Sequence, residues 1–437
     1  MVRVMQQLID DSRAIFDAAV RSVQPDRLMT DWDLESAAGR PPDAFKRIRV
    51  VGAGKAAMAM AAALEQALPG WIISGQVVVP EGYVDTLPGA QRHPTVVRTV
   101  QGGHPLPSRA SVEAAGDALI VACRSGPGDL LLVLLSGGAS ALWCAPVPGI
   151  SLADLKQVSD VLLRSGADIH EMNSVRKHLS RIKGGRLAAA AWPATVLTLA
   201  ISDVPSDDLS VIGSGPTVPD PTTFGDALNV LHSYSLWDAL PAPVQVHLQS
   251  GADGAIPDTP KPGAAYLASS RVQLIGSSRH ALAAAARQAE DLGYWPQVRH
   301  GITGEARRTG EALSRAILAQ PGRTCLLWGG ETTVAVTGSG TGGRNHEAAL
   351  SAALTLAGSE RDVVVLSGGT DGIDGSADAA GAWATPQTLA AAQAQGMDPK
   401  AAQQNNDSYP FFRAAGGSLH TGPTHTNVMD VLIALAA

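Results

Sequence analysis

The sequence predicts an α/β protein of two domains with largely parallel sheets. Three observations predict it. The chain has 437 residues, too many for one ordinary core. Short apolar runs alternate with Ala- and Leu-rich segments at helical spacing along the whole length. Several of those runs are continuous rather than alternating, as in strands buried on both faces of a parallel sheet. Hydrophobic residues make up 45% and charged residues 17%, a globular balance. The net charge of -7 argues against a nucleic-acid surface but leaves room for a local cationic site for a small anion. Cys123, Cys144 and Cys325 are an odd set that reads as reduced thiols in a cytoplasmic protein. The first residues lack an apolar signal core, and the longest apolar run, 187–201, is short of a membrane span.

Met5, Leu8, Ile9, Phe16, Ala19, Val20 and Val23 fall three or four apart, an amphipathic helix ending before Pro25. Residues 47–51 form a strand that runs into G-A-G-K-A-A and an alanine-rich helix over 56–68. Gly52, Gly54 and Ala57 match a loose dinucleotide pattern, and Lys55 inside it suits a phosphate or is a solvated helix-start lysine. A strand over 71–79, the turn G-H-P-L-P and a helix over 111–123 follow. The apolar strand 129–135 ends in Ser136, Gly137, Gly138, Ala139 and Ser140. After a helix over 151–165, the stretch 173–187 carries Asn173, Arg176, Lys177, Lys183 and Arg186, the densest basic segment. In an acidic chain it is either a solvated face or an anion site. The strand 195–201 ends in Asp203, Asp207 and Asp208, carboxylates that suit Mg²⁺ or serve as caps and turn formers.

Residues 241–263 are rich in Pro and Gly and mark the boundary between the domains. A second series of units is expected from Val272, with helices over 279–292 and 304–319 and strands at 295–298, 325–328 and 362–366. Between the last two strands lies V-T-G-S-G-T-G-G-R-N-H-E, read as a strand over 332–337, a glycine-rich loop and a helix start. Gly340, Gly342 and Gly343 let backbone N–H groups approach an anion, and Arg344 adds a planar fork. Asp371 and Asp374 follow the strand at 362–366. In parallel sheets ligands bind at the carboxyl ends of strands, where all these loops lie. Walker A, protein-kinase, H-E-x-x-H, C-x-x-C and G-x-S-x-G patterns are absent from the sequence. Phosphoryl transfer needs cations, Mg²⁺ held by carboxylates and a group for the hydroxyl proton, and the chain offers each.

The chain resembles the glycerate 2-kinases, two-domain enzymes with a C-terminal MOFRL-type domain. The resemblance spans nearly the whole length. It rests on G-A-G-K-A, G-H-P-L-P, L-S-G-G-A-S-A-L, N-S-V-R-K-H-L-S-R-I-K-G-G-R-L, I-S-D-V, G-S-G-P-T-V-P-D-P-T-T-F, G-G-E-T-T-V, G-x-G-x-G-G-R-N-H-E, T-D-G-I-D-G and T-G-P-T-x-T-N-V. It implies a larger Rossmann-like domain over 1–255, a smaller one over 265–437 whose end packs back on the first, and an active site in the cleft between them. It further implies ATP- and Mg²⁺-dependent phosphorylation of D-glycerate at the 2-hydroxyl, with no nucleic-acid or membrane partner and with monomer or homodimer left open.

Lys55 and Arg344 match the family's catalytic lysine and arginine. Asp203 and Asp371 stand as candidates for Mg²⁺ or the hydroxyl proton, with Asp207, Asp208 and Asp374 beside them. Gly52, Gly54, Ser136, Gly137, Gly138, Ser140, Asn173, Arg176, Lys183, Gly340, Gly342, Gly343, Asn345 and Glu347 are read as substrate- or nucleotide-binding. Departures at Ser108, Pro205-Ser206 and His425 bear on fine substrate preference. NAD(P)H-dependent reduction of hydroxypyruvate is the alternative activity, and a non-catalytic nucleotide- or acid-binding protein the third.

Overall fold

The structure, a computed structural model, describes residues 2–86 and 93–437. The chain forms two compact units, Leu28–Ile275 and a second made of Met1–Arg27 with Gly276–Ala437. Among the described residues, no helix is long and apolar enough to cross a membrane.

The first unit is built on β1 (Arg47–Ala53), β2 (Ile72–Pro80), β3 (Val97–Gly102), β4 (Asp129–Leu135), β5 (Thr195–Ile201) and β6 (Ser270–Gly276), in the order β3-β2-β1-β4-β5-β6. β1 to β5 run parallel. This is the strand order of dinucleotide-binding sheets, with the crossover point between β1 and β4. β4 is buried at every position, as its unbroken apolar run requires. The sequence concealed β3, whose V-R-T-V-Q-G run carries polar residues.

The second unit contains β7 (Trp295–Ile302), β8 (Thr324–Gly330), β9 (Val363–Gly369), β10 (Gly381–Ala384), β11 (Ser418–Leu419) and β12 (Asp430–Ala436), in the order β11-β10-β9-β12-β8-β7. Only β7 and β8 pair in parallel; the other pairings are antiparallel. The expectation of a largely parallel second sheet is therefore corrected. β12 inserts between β8 and β9, which puts the carboxyl ends of β8 and β9 beside the start of β12.

Further expectations change. The Pro-rich stretch 241–263 holds a helix, Ala242–Ala252, which starts on a proline cap, and the strand near Val272 completes the first sheet instead of opening the second. The units meet at 275/276 in sequence, not between 255 and 265. The helix Val2–Ser22 belongs to the second unit, where it packs on the helix Ser278–Asp291 and on β9 and β12. Residues 332–337 form no strand; only Thr333 makes an isolated bridge, to Glu305.

The N-terminal helix is held by apolar and polar contacts together. Phe16 is fully buried against Gly368 of β9, where even a Cβ would lie 2.7 Å from its ring. Tyr294 donates to Asp11 Oδ2 at 2.7 Å, and Thr426 Oγ1 donates to the carbonyl of Val23 at 2.7 Å. Phe16→Ala should cost about 3–5 kcal/mol through the cavity it leaves. Hydrogen exchange should then speed up in β9 and β12 and not in β1 to β5; unchanged protection of β9 would show that the helix is only an accessory.

Candidate active site

The carboxyl ends of the first sheet are stitched to one another. Gly54 has φ +133, and a Cβ there would lie 2.1 Å from Ser136 Oγ, so only glycine fits. Lys55 N–H donates to Gly137 O at 2.9 Å, Ala56 N–H to Ser136 Oγ at 3.0 Å, and Ser136 N–H to Ala53 O at 3.2 Å. The His104 ring, from the loop after β3, covers Gly138. The loop after β1 is thus fastened to the loop after β4, with Lys55 half-buried at the junction.

Behind this edge lies a buried polar chain. Lys183 Nζ donates to Ser140 O at 2.8 Å and to Ser140 Oγ at 2.7 Å. Ser140 Oγ is 3.0 Å from Ser214 Oγ, which donates to Asn173 Oδ1 at 3.2 Å. Lys183 is 7% exposed, and Ser214 and Asn173 are more deeply buried; Ser140 is half-buried and forms the open end of the chain. The structure therefore gathers Ser140, Asn173 and Lys183, as the sequence suggested, and adds Ser214. Ser214 hides in the G-S-G-P turn, between two glycines of positive φ. Its only sequence signal was that unusual turn.

The basic segment divides by partner. Lys177 is 4% exposed and reaches Asp220 Oδ1 at 3.4 Å, and the same carboxylate accepts from Thr222 and Thr259. Burial lowers the pKa of Arg186, while Asp258 and Asp220 oppose the shift. Lys177 serves the fold. Among the described residues neither Arg186 nor Arg176 makes a side-chain hydrogen bond or ion pair, but carboxylates act on Arg186, whereas burial alone lowers the pKa of Arg176. Burial pushes Lys183 down to about 7, with Cys144 opposing and Arg176 adding to the shift.

The acidic tip of β5 is a turn. Asp207 holds φ 55, and Asp208 accepts from Ser210 N–H at 2.8 Å. Asp203 is half-buried just beyond the strand. Among the described residues, no three His, Cys, Asp or Glu side chains form a ready metal cage.

In the second unit the glycine-rich loop is already satisfied. Thr337 and Gly338 N–H donate to Asn406 Oδ1, Ser339 N–H to Asn405 Oδ1, Gly340 N–H to Asn405 O, Thr341 N–H to Asp407 Oδ1 and Gly342 N–H to Ser376 Oγ. The loop lies down on residues 405–408, which explains its glycines without a ligand. The helix Arg344–Leu356 has its own anion: Asp374 accepts from Asn345 N–H, His346 N–H and His346 Nδ1 at 3.0, 2.8 and 2.6 Å. Asp374 thus caps this helix. Gly343 leaves room for it, since a Cβ there would meet Asp374 Oδ1 at 2.4 Å.

Arg344 forks onto Asp430 at 2.6 and 2.9 Å, and its Nη1 meets Glu331 at 2.9 Å. Burial opposes its charge, but Asp430 and Glu331 prevail and raise its pKa. Asn345 donates to Asp430 and accepts from Ser367, and Glu347, 1% exposed, holds Arg307 at 2.7 Å. Asn345 and Glu347 were read as ligand-facing; buried within the unit, they instead position Arg344 and its helix. Asp371, at the end of β9, is 8% exposed and accepts from Ile373 N–H. Asp430 and Glu331 were not foreseen, because nothing local marks them as partners of Arg344.

Ser108, where an acid is frequent in the family, caps the helix Arg109–Cys123 through its hydroxyl. His425 stands at φ 56, a conformation that accounts for the usual glycine.

Family models match over residues 11–249, as a domain of unknown function (DUF4147), and over 324–430, as the MOFRL family. A glycerate 2-kinase of Pyrococcus horikoshii is 37% identical, covering 98% of this chain and 93% of its own. A putative hydroxypyruvate reductase of Agrobacterium vitis is 40% identical over 96% of this chain and 92% of its own. A crystal structure of glycerate kinase from Thermotoga maritima superposes with a TM-score of 0.84 at 35% identity, over 99% of this chain and 100% of that one. The chain belongs to the glycerate 2-kinase family. It is accordingly a kinase.

Lys183 makes stability depend on pH in a defined direction. Its folded amine releases a proton near 7, whereas the unfolded side chain holds one to 10.5. Between those values the unfolded chain binds more protons, so folding gains as pH rises. Relative to Lys183→Met, the wild type should gain up to about 1.4 kcal/mol of unfolding free energy per pH unit across that window. A pH-independent difference in urea titrations would show that Lys183 stays charged.

Proposed function

We propose that the protein transfers the γ-phosphoryl group of ATP to the 2-hydroxyl of D-glycerate, giving 2-phospho-D-glycerate and ADP. The observation that carries the reading is Arg176, a half-buried guanidinium on which no carboxylate acts among the described residues, beside the buried Lys183. An unpaired buried cation is costly, and a bound anion removes that cost. A guanidinium fork matches a carboxylate in a bidentate way. In this reading Arg176 takes the carboxylate of the acceptor at Ser140.

The reacting hydroxyl of glycerate is on the carbon next to its carboxylate. The incoming phosphoryl group and the carboxylate repel by about 4 kcal/mol at about 4 Å and an effective dielectric near 20. Dense local cationic charge offsets this, and Lys55 and Lys183 supply it at the ends of neighbouring strands. Arg344 is the second proposed phosphoryl-binding cation. Asp430 fixes its plane, while Glu331, 40% exposed, is the partner that gives way to a phosphate.

Mg²⁺ accepts one or two carboxylates together with water and phosphate, and bound to ATP it neutralises the transferred group. Asp203 and Asp371 fit that sparse donor set. Asp203 and Asp371 are also the proposed groups for the hydroxyl proton.

The reductase alternative draws on the strand order and on Gly52, Gly54 and Ala57. A dinucleotide needs the N–H groups of that loop for its pyrophosphate. Here Lys55 and Ala56 N–H are already engaged by Gly137 O and Ser136 Oγ. The loop serves to join strand ends, which favours the kinase reading.

The product decides. Purified protein with D-glycerate, ATP, Mg²⁺ and enolase should yield phosphoenolpyruvate without a phosphoglycerate mutase. Phosphoenolpyruvate only after mutase is added would mean a 3-phosphate, and NADH oxidation with hydroxypyruvate in place of phosphorylation would establish the reductase. Arg176→Met should raise KM for glycerate about 10- to 100-fold, the worth of a charge-assisted contact. Lys55→Ala and Arg344→Ala should each lose about 10³ in kcat while staying folded. Near-normal turnover in either variant removes that residue from the reaction.

A further inference from the structure

Lys183 has two acceptors, and both are neutral. Ser214 gives its only hydroxyl proton to Asn173 Oδ1, so it must accept from Ser140. Ser140 then has no proton left, and its Oγ accepts from Lys183, as does its carbonyl. An amine with two hydrogens satisfies this arrangement. The third hydrogen of an ammonium has no acceptor among the described residues. No described carboxylate lies within ion-pair reach of Nζ, and the two ionisable groups that act on it are Cys144 and Arg176. The Cys144 thiol is buried and pushed up by that burial, so it stays neutral at ordinary pH. Arg176, on the helix Ile169–His178, is always charged and repels an ammonium.

We propose that Lys183 is an uncharged amine in the free protein and takes up one proton from solvent when the acceptor's carboxylate binds beside Arg176. The inference rests on the acceptor site proposed above and adds a property to it: acceptor binding and proton uptake are one event. The entering carboxylate cancels the repulsion from Arg176 and offers the third hydrogen its missing partner. Burial lowers the free amine's pKa to about 7. Below that value Lys183 is already charged, and affinity is independent of pH. Above it each pH unit weakens binding tenfold until the pKa of the bound state is reached.

Titration calorimetry with D-glycerate alone, in two buffers of different ionisation enthalpy, reads the proton directly. At about pH 8.5, uptake should approach one proton per glycerate, and at about pH 6 it should fall towards zero. The Kd should be flat below about pH 7 and rise tenfold per unit above it. Lys183→Arg, permanently charged, should bind glycerate without uptake and with a flat Kd. Lys183→Met should bind more weakly, again without uptake. If the wild type shows no uptake and a flat Kd yet yields phosphoenolpyruvate in the enolase assay, the lysine inference falls and the kinase reading stands. Uptake that persists in Lys183→Arg places the proton elsewhere and also overturns it. If glycerate neither binds nor is phosphorylated, both readings fall together.

Discussion

The second unit depends on one buried carboxylate. Asp430 opens β12, fully buried, with Gly330 of β8 on one side and Gly369 of β9 on the other. It receives the Arg344 fork and the Asn345 amide, so two strand ends and a helix start share one negative charge. Burial raises its pKa and Arg344 opposes the rise. Removing either partner would leave the other charge without compensation in a dry place, which is far more costly than the pair is worth. The first unit shows the opposite case. Among the described residues no carboxylate acts on Arg176 or Lys183 at the Ser140 end, and that asymmetry is why acceptor binding is proposed there.

The glycine-rich stretch before Arg344 shows how one composition serves two purposes. Glycines permit a backbone to approach a phosphate, and equally to lie against another segment of protein. Here the segment 405–408 takes the donors that a ligand would use. Asp374 does the same for the helix behind it. Arg344 emerges from a scaffold that is complete before any nucleotide arrives.

Much of the fold was legible because burial on both faces leaves a plain trace. β4, β5 and β9 appear as unbroken apolar runs that end in Gly or Asp. β12 was not among the expected strands, and its insertion between β8 and β9 is a tertiary fact. The Pro-rich spacing at 241–263 suggested a linker, although proline at a helix start is as compatible with Ala242–Ala252. In the site, Arg176 and Lys183 stood out by charge within the basic segment 173–187, and Ser140 by its place after β4. Lys177 could not be told from Arg176, because one step along a helix turns the side chain by about 100°. That turn points Lys177 at Asp220 and leaves Arg176 with no ion pair among the described residues.

The order of the units along the chain has a consequence for how the protein is made. Leu28–Ile275 is an insertion in the sequence of the other unit, which begins with Val2–Ser22 and cannot complete its sheet until β12 exists. During synthesis the inserted unit has all its strands first and is free to fold while the N-terminal helix waits with its apolar face uncovered. The helix finds its seat on β9 and β12 only across several hundred residues of chain, a contact of very high sequence separation that slows closure. The waiting helix is therefore the part of the nascent protein most in need of protection from aggregation.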